Sequence, residues 1–203
     1  MTKASTDVPR GANQFDVSGP PATASGTRSA RPPFEPFCGD IEIRIGRDGT
    51  WYYHASPIGR LELVKLFASV LKRDETGDYW LVTPAERGRI KVDDAPFTAV
   101  ELTVEGEGTA RSLHFRTNLD ETVTAGAERP IRLSYDGASG EPRFYIFARS
   151  GRGACPGLEA LIVRSVYYQL VELGVEEPVK GETLYGVWSR GQFFPLGRLE
   201  DRP

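Results

Sequence analysis

The sequence predicts an α+β protein in which two principal helices interrupt a run of mainly antiparallel strands. Three observations carry that reading. Apolar and polar residues alternate over several short stretches, as where Ile41, Ile43 and Ile45 flank Glu42 and Arg44. Turn signals separate those stretches, Asp48-Gly49 being the plainest. Two longer stretches instead carry apolar residues at helical spacing.

Residues 1–33 read as a disordered tail. Pro, Gly, Ser, Thr and Ala fill 21 of these 33 positions, and only Met1, Val8, Phe15 and Val17 are large and apolar. Such a segment buries too little surface to offset its ordering entropy. Order is expected from Phe34. The strand of alternating isoleucines turns at Asp48-Gly49 and returns through Trp51, Tyr52 and Tyr53. Ser56-Pro57 then suits a helix entry, because proline in a first turn lacks an N–H that would go unpaired anyway. The helix is expected over 59–72, with Leu63, Val64, Leu66, Phe67, Val70 and Leu71 on one side and Glu62, Lys65, Ser69 and Lys72 on the other.

A β-rich stretch follows. Strands are expected at 79–83 and 89–93, at 98–105 and 110–117, briefly at 122–125, and at 131–135 and 143–148, with turn residues between them. The second, longer helix is expected over about 157–173, ending at Gly174. Its apolar residues surround most of the axis, which predicts cover on more than one side, while its β-branched and aromatic residues leave a strand reading open. A last hairpin, 184–188 with 192–195, turns at Ser189-Arg190-Gly191. Gly191-Gln192-Phe193-Phe194 and Pro195-Leu196-Gly197-Arg198 loosely echo Gly49-Thr50-Trp51-Tyr52 and Pro57-Ile58-Gly59-Arg60, a hint of duplication.

Composition narrows the function classes. A net charge of −3 and a pI near 5.6 lack the basic excess of a general nucleic-acid binder. No apolar run approaches the ~20 residues of a membrane-spanning helix, and no secretory leader is evident. A cytoplasmic protein with neither nucleic-acid nor membrane partner is expected. Cys38 and Cys155 form no C-x-x-C pair, which fits a reduced compartment. His54 and His114 are the only histidines and sit on separate expected strands, so neither a metal centre nor a cofactor is expected.

Cys38 to Ile45, Asp48 to Tyr53, Ser56 to Arg60, Leu63 to Phe67, Tyr79 to Pro84 and Gly157 to Ile162, in this order, resemble blocks of a bacterial family of unknown function, domain-of-unknown-function family 1285. The resemblance implies two lobes of mainly antiparallel sheet with internal duplication, the second superficially like a pleckstrin-homology domain. The lobes then fall at 34–97 and 98–203. It also implies a signalling role and a binding site for a nucleotide-like ligand between the lobes. It supplies no catalytic residues.

The residues themselves offer matching chemistry. The loop from Arg149 to Gly157 follows a strand and opens the second helix, where free N–H groups and the helix dipole attract anions. Arg149 and Arg152 are placed to clamp oxyanions there, although the loop is neither G-x-G-x-x-G nor a P-loop and also reads as a plain connection. Arg164 falls within the apolar wheel of the second helix, where burial demands either an acidic partner or an anionic ligand. Arg60 follows the Pro-Ile-Gly turn, either as a structural cation or as a ligand contact. Trp51 and Tyr168 are stacking candidates, with core packing as the rival role. The expected function is a ligand-sensing or signalling module taking a small anionic, nucleotide-like ligand between the lobes. Arg60, Arg149, Arg152 and Arg164 would provide charge, and Trp51 or Tyr168 a surface for a base. A protein-interaction adaptor and a hydrolase are the alternatives.

Overall fold

The computed structural model describes residues 37–137, 139–151, 156–179 and 181–198. The tail expected over 1–33 lies outside them, as do Arg152, Cys155 and the side chain of Cys38.

The first lobe opens with β1 (Phe37–Ile45), whose alternation buries Ile43 and Ile45 and exposes Glu42 and Arg44. The Asp48-Gly49 turn closes with Gly46 N–H donating to Thr50 O at 2.8 Å, and Gly49 takes a φ of +82°, where a side chain would be strained. The chain continues through β2 (Trp51–Tyr53), β3 (Ser56–Pro57), α1 (Leu61–Ser69), β4 (Leu71–Arg73), β5 (Tyr79–Val82) and β6 (Glu86–Val92). The strands form one sheet in the order β3-β2-β1-β6-β5-β4, antiparallel except for the central pair β1 and β6.

The helix α1 is shorter than the expected 59–72. Arg60 is already extended at the N-cap (φ −89°, ψ 101°). At the other end Leu71 pairs with Leu81, and Val82 N–H reaches Val70 O at 2.9 Å. Sheet pairing captures Val70 and Leu71, whose apolar spacing also suited a helix, and β-branched Val70 favours that outcome. Val64 and Ala68 enter the core, and the Phe67 ring stacks 6.3 Å from that of Trp51, whereas Leu66, expected on the same apolar side, is exposed.

The second lobe runs through β7 (Phe97–Glu105), a 3-10 turn (Gly108–Ala110), β8 (Ser112–Thr117), β9 (Thr122–Thr124), β10 (Ile131–Tyr135), β11 (Pro142–Arg149) and β12 (Leu158–Ile162). Its sheet order is β10-β11-β12-β7-β8-β9, again with only the central pair, β7 and β12, parallel. Numbered within each lobe, both sheets read 3-2-1-6-5-4. The duplication therefore resides in strand topology. It does not follow the echo of residues 49–60 at 191–198, which would match β2 to a strand of a third, separate sheet.

The single long helix expected over 157–173 divides in two. Leu158, Ala160 and Ile162 alternate inward along β12, and after Val163 (ψ 156°) the chain forms α2 (Arg164–Glu172), which buries Val166 and Leu170. The apolar residues that seemed to surround one helix are a two-faced strand followed by a one-sided helix. β13 (Val175–Val179), β14 (Glu182–Ser189) and β15 (Gln192–Arg198) then form the three-stranded sheet. One continuous apolar cluster joins both lobes, from Ile43 and Trp51 through Phe115 and Leu170 to Leu196.

Candidate functional site

The lobe junction is occupied by paired side chains. Arg149, at the end of β11, grips Glu121 with two nitrogens, donates from Nη1 to the Ala68 carbonyl of α1 at 2.5 Å, and lies 4.9 Å over the Phe97 ring. It is a strut between lobes, its charge matched by Glu121. Asn118 Nδ2 donates to Gly49 O at 3.1 Å, and Lys65 Nζ meets Asp120 at 2.9 Å. Deeper in, Arg143 bridges Asp94 (2.8 Å) and Asp136 (2.9 Å), carboxylates only 11% and 13% exposed. Tyr145 Oη donates to Asp94 at 2.7 Å, and burial, reinforced by that bond and the carboxylate's charge, pushes the phenol well above its usual range.

The other candidates separate. Trp51 is 1% exposed and packs on Phe67, so its ring offers no stacking face to a ligand. Arg164 is exposed at the first position of α2 instead of buried in an apolar wheel, because the true helix starts there. Tyr168 projects from α2, 52% exposed, and Arg60 is exposed at the α1 N-cap with no side-chain cap bond. Arg149 and Trp51 both touch the C-terminal half of α1, and no hydrogen bond or ring contact connects either to Arg60, Arg164 or Tyr168. Arg152 lies outside the described residues.

Two concavities stand out among the described residues. The larger, about 700 Å³, covers the outer face of the first sheet beside Asp40, Arg44, Tyr52, Arg89, Lys91 and Asp93. Its arginines are matched: Arg44 pairs with Asp93, and Arg89 holds Asp40 at 2.7 Å. The Arg44 hydrogen bond keeps the Asp93 carboxyl below the usual carboxylate range, and Arg89 does the same for Asp40.

The second concavity, about 560 Å³, belongs to the C-terminal lobe and is lined by Thr122, Thr124, Gly126, Glu128, Arg129 and Arg190, with Ala127. Alternation along β9 sends Val123 into the core and both threonines outward. The next turn is clamped by reciprocal bonds between Gly126 and Arg129, at 3.1 and 3.0 Å, and Arg129 Nη1 donates to Ala148 O at 3.0 Å. Arg190 arrives from the tip of the β14–β15 hairpin. Arg190 and Gly191 have φ of +51° and +73°, the pattern of a type I′ turn. Asparagine or glycine normally takes the first of these positions, and an arginine there carries backbone strain.

The tip is fixed from three directions. Arg190 N–H donates to Arg111 O at 2.7 Å and Gly191 N–H to Thr109 O at 3.0 Å. Buried Ser189 donates to Ala125 O at 2.8 Å and accepts from Leu113 N–H at 3.0 Å. No acidic side chain among the described residues pairs with the Arg190 guanidinium. Sequence reasoning located this turn and passed over its residue; the legible signal was an arginine where Asn-Gly is the rule.

Fold and site together define a two-lobed α+β protein with duplicated sheet topology and a cationic concavity on its second lobe. Comparison with known proteins gives the family. Residues 32–95 match the profile described as "Domain of unknown function (DUF1285), N-terminal domain", and residues 96–196 that described as "Protein of unknown function (DUF1285), C-terminal domain". The chain belongs to the DUF1285 family. A crystal structure of a DUF1285 family protein from Silicibacter pomeroyi DSS-3 is 44% identical, with a TM-score of 0.72 over 83% of this chain and 86% of that one. A second, from Shewanella baltica OS155, is 23% identical with a TM-score of 0.48 over 65% of this chain and 91% of that one. No curated protein matches the sequence. No helix among the described residues is long and apolar enough to cross a membrane.

Proposed function

We propose that the chain is a ligand-sensing module for a small oxyanion-bearing molecule, seated in the concavity of the second lobe and not between the lobes. The observation behind this reading is Arg190: a guanidinium with no acidic partner among the described residues, on a strained turn that three sets of hydrogen bonds hold against the threonines of β9. Strain retained at a fixed surface position points towards a function. Arg129 adds a second guanidinium, and the two outweigh the single carboxylate of Glu128. No aromatic ring lines the space, which favours a compact phosphate-, sulfate- or carboxylate-bearing molecule over recognition of a base. At the junction, by contrast, Arg149 and Arg143 already hold acids.

Titration calorimetry with sulfate and with pyrophosphate tests the reading. Binding is expected to weaken about tenfold or more in Arg190→Asn, the scale of a lost charge-assisted hydrogen bond. Equal affinity in the wild type and this variant would overturn the assignment of the seat.

A further inference from the structure

We infer that His114 makes oxyanion binding in this concavity proton-linked, through the hydroxyl of Thr124. This inference rests on the seat proposed above. His114 lies directly opposite Thr124 across β8 and β9, and its Nδ1 is 2.8 Å from Thr124 Oγ1. Its Nε2 is buried without a hydrogen-bond partner, and the nearest acid is Glu105 of β7, whose Oε2 is 3.4 Å away. Thr124 itself lines the concavity.

The two protonation states of the ring set opposite roles for that hydroxyl. A neutral imidazole carries one N–H. The Glu105 carboxylate favours it on Nε2, so Nδ1 is an acceptor. Thr124 then donates its O–H to Nδ1 and turns lone pairs towards the concavity, where they repel an anion. When the ring is doubly protonated, Nδ1–H donates to Thr124 Oγ1. The Thr124 hydroxyl hydrogen becomes free to point into the concavity, and a positive charge stands behind it. One proton therefore converts Thr124 from acceptor to donor towards the ligand.

The surrounding charges determine the direction of coupling. From β7, the Glu105 carboxylate faces Nε2 at 3.4 Å. β9 presents only threonines beside Val123. On β8, the same-face neighbour Arg116 is held by Glu101 at 2.5 Å and by Asp120 at 3.3 Å. Around the concavity stand the charges of Arg129, Arg190 and Glu128. A bound oxyanion offsets the two arginines, so binding and protonation assist each other, and linkage makes the effect reciprocal.

Sulfate is the probe, because it stays a dianion throughout the imidazole range and its own titration cannot imitate the effect. Its affinity is expected to rise about tenfold between pH 8 and pH 5.5, the gain of one charge-assisted donor. His114→Gln should flatten that profile, and Thr124→Val should hold affinity at its pH 8 level. In proton NMR of the wild type, saturating sulfate should move the His114 titration to higher pH and leave exposed His54, the only other histidine, in place. That measurement needs no variant to fold. Sulfate binding that depends on Arg190 yet is independent of pH, with an unmoved His114 titration, overturns the proton linkage and leaves the seat standing. Sulfate binding indifferent to Arg190→Asn at every pH overturns the seat, and with it the inference.

Discussion

The two lobes share a strand order and differ in what fills the gap between their third and fourth strands. In the first lobe α1 occupies it and packs Phe67 on Trp51. In the second a short turn, pinned by Gly126 and Arg129, takes its place, and α2 follows the sixth strand instead. The consequence is electrostatic as well as geometric. On the first sheet Arg89 has an acid on the neighbouring β1 and Arg44 one just past the end of β6. The open turn of the second lobe is capped by a foreign hairpin that brings Arg190, which has no acidic partner among the described residues. A repeated topology thus fixes the backbone of both lobes and leaves the insertions to decide where charge goes unmatched.

The comparison can be broken most forcefully through the shared core. Phe115 is fully buried in the cluster that links the lobes. Phe115→Ala should cost about 3–5 kcal/mol, and urea unfolding should remain one transition by fluorescence and circular dichroism. Two separated transitions would mean the lobes are independent units. Next in size is the strut. Arg149→Met leaves Glu121 and the Ala68 carbonyl without their donor, and should cost about 1–3 kcal/mol in the same assay while sulfate binding is unchanged. Loss of sulfate binding in that variant would move the seat back to the junction.

A smaller effect with the opposite sign sharpens the contrast. Arg190→Asn puts a residue tolerant of positive φ at the hairpin tip, so stability should rise by about 0.5–1 kcal/mol as sulfate affinity falls. Thermal melts showing a loss of stability would deny that the turn is strained. Smallest is the pH response of the first sheet. Arg89 depresses the Asp40 carboxyl in the folded protein, so that pairing stabilises above the carboxylate range and is lost as pH falls through it. Arg89→Gln should be slightly less stable than the wild type at neutral pH, with the gap closing below about pH 4. A gap that widens on acidification would contradict the pairing.

Much of the fold was legible because hairpins are local. Asp48-Gly49 and the alternation from Ile131 to Tyr135 fix their strands from within a few residues. The long second helix was misread because Leu158 to Ile162 is apolar on the side the sheet needs and on the side α2 would need, and only its parallel pairing with distant β7 decides the matter. β13 was missed since Glu176, Glu177 and Pro178 are poor strand formers, and pairing with β14 alone defines it. The site was less legible for the same reason. Arg149 had the composition of an anion clamp, but Glu121 lies on another strand-to-strand turn and no local pattern announces the pair. Arg190 and Thr124 meet at one concavity because Ser189 ties two sheets together, a contact that spacing along the chain does not encode.

The central parallel pairs also impose an order on assembly as the chain leaves the ribosome. Phe37 lies opposite Glu86, and Ala160 opposite Phe97, so neither sheet can be sealed until its own sixth strand has emerged. Each seam nevertheless closes within its own stretch of the polypeptide. The nascent first lobe can therefore complete its ladder before synthesis of the second is finished, and then waits with its apolar underside bare for the later strands to cover it.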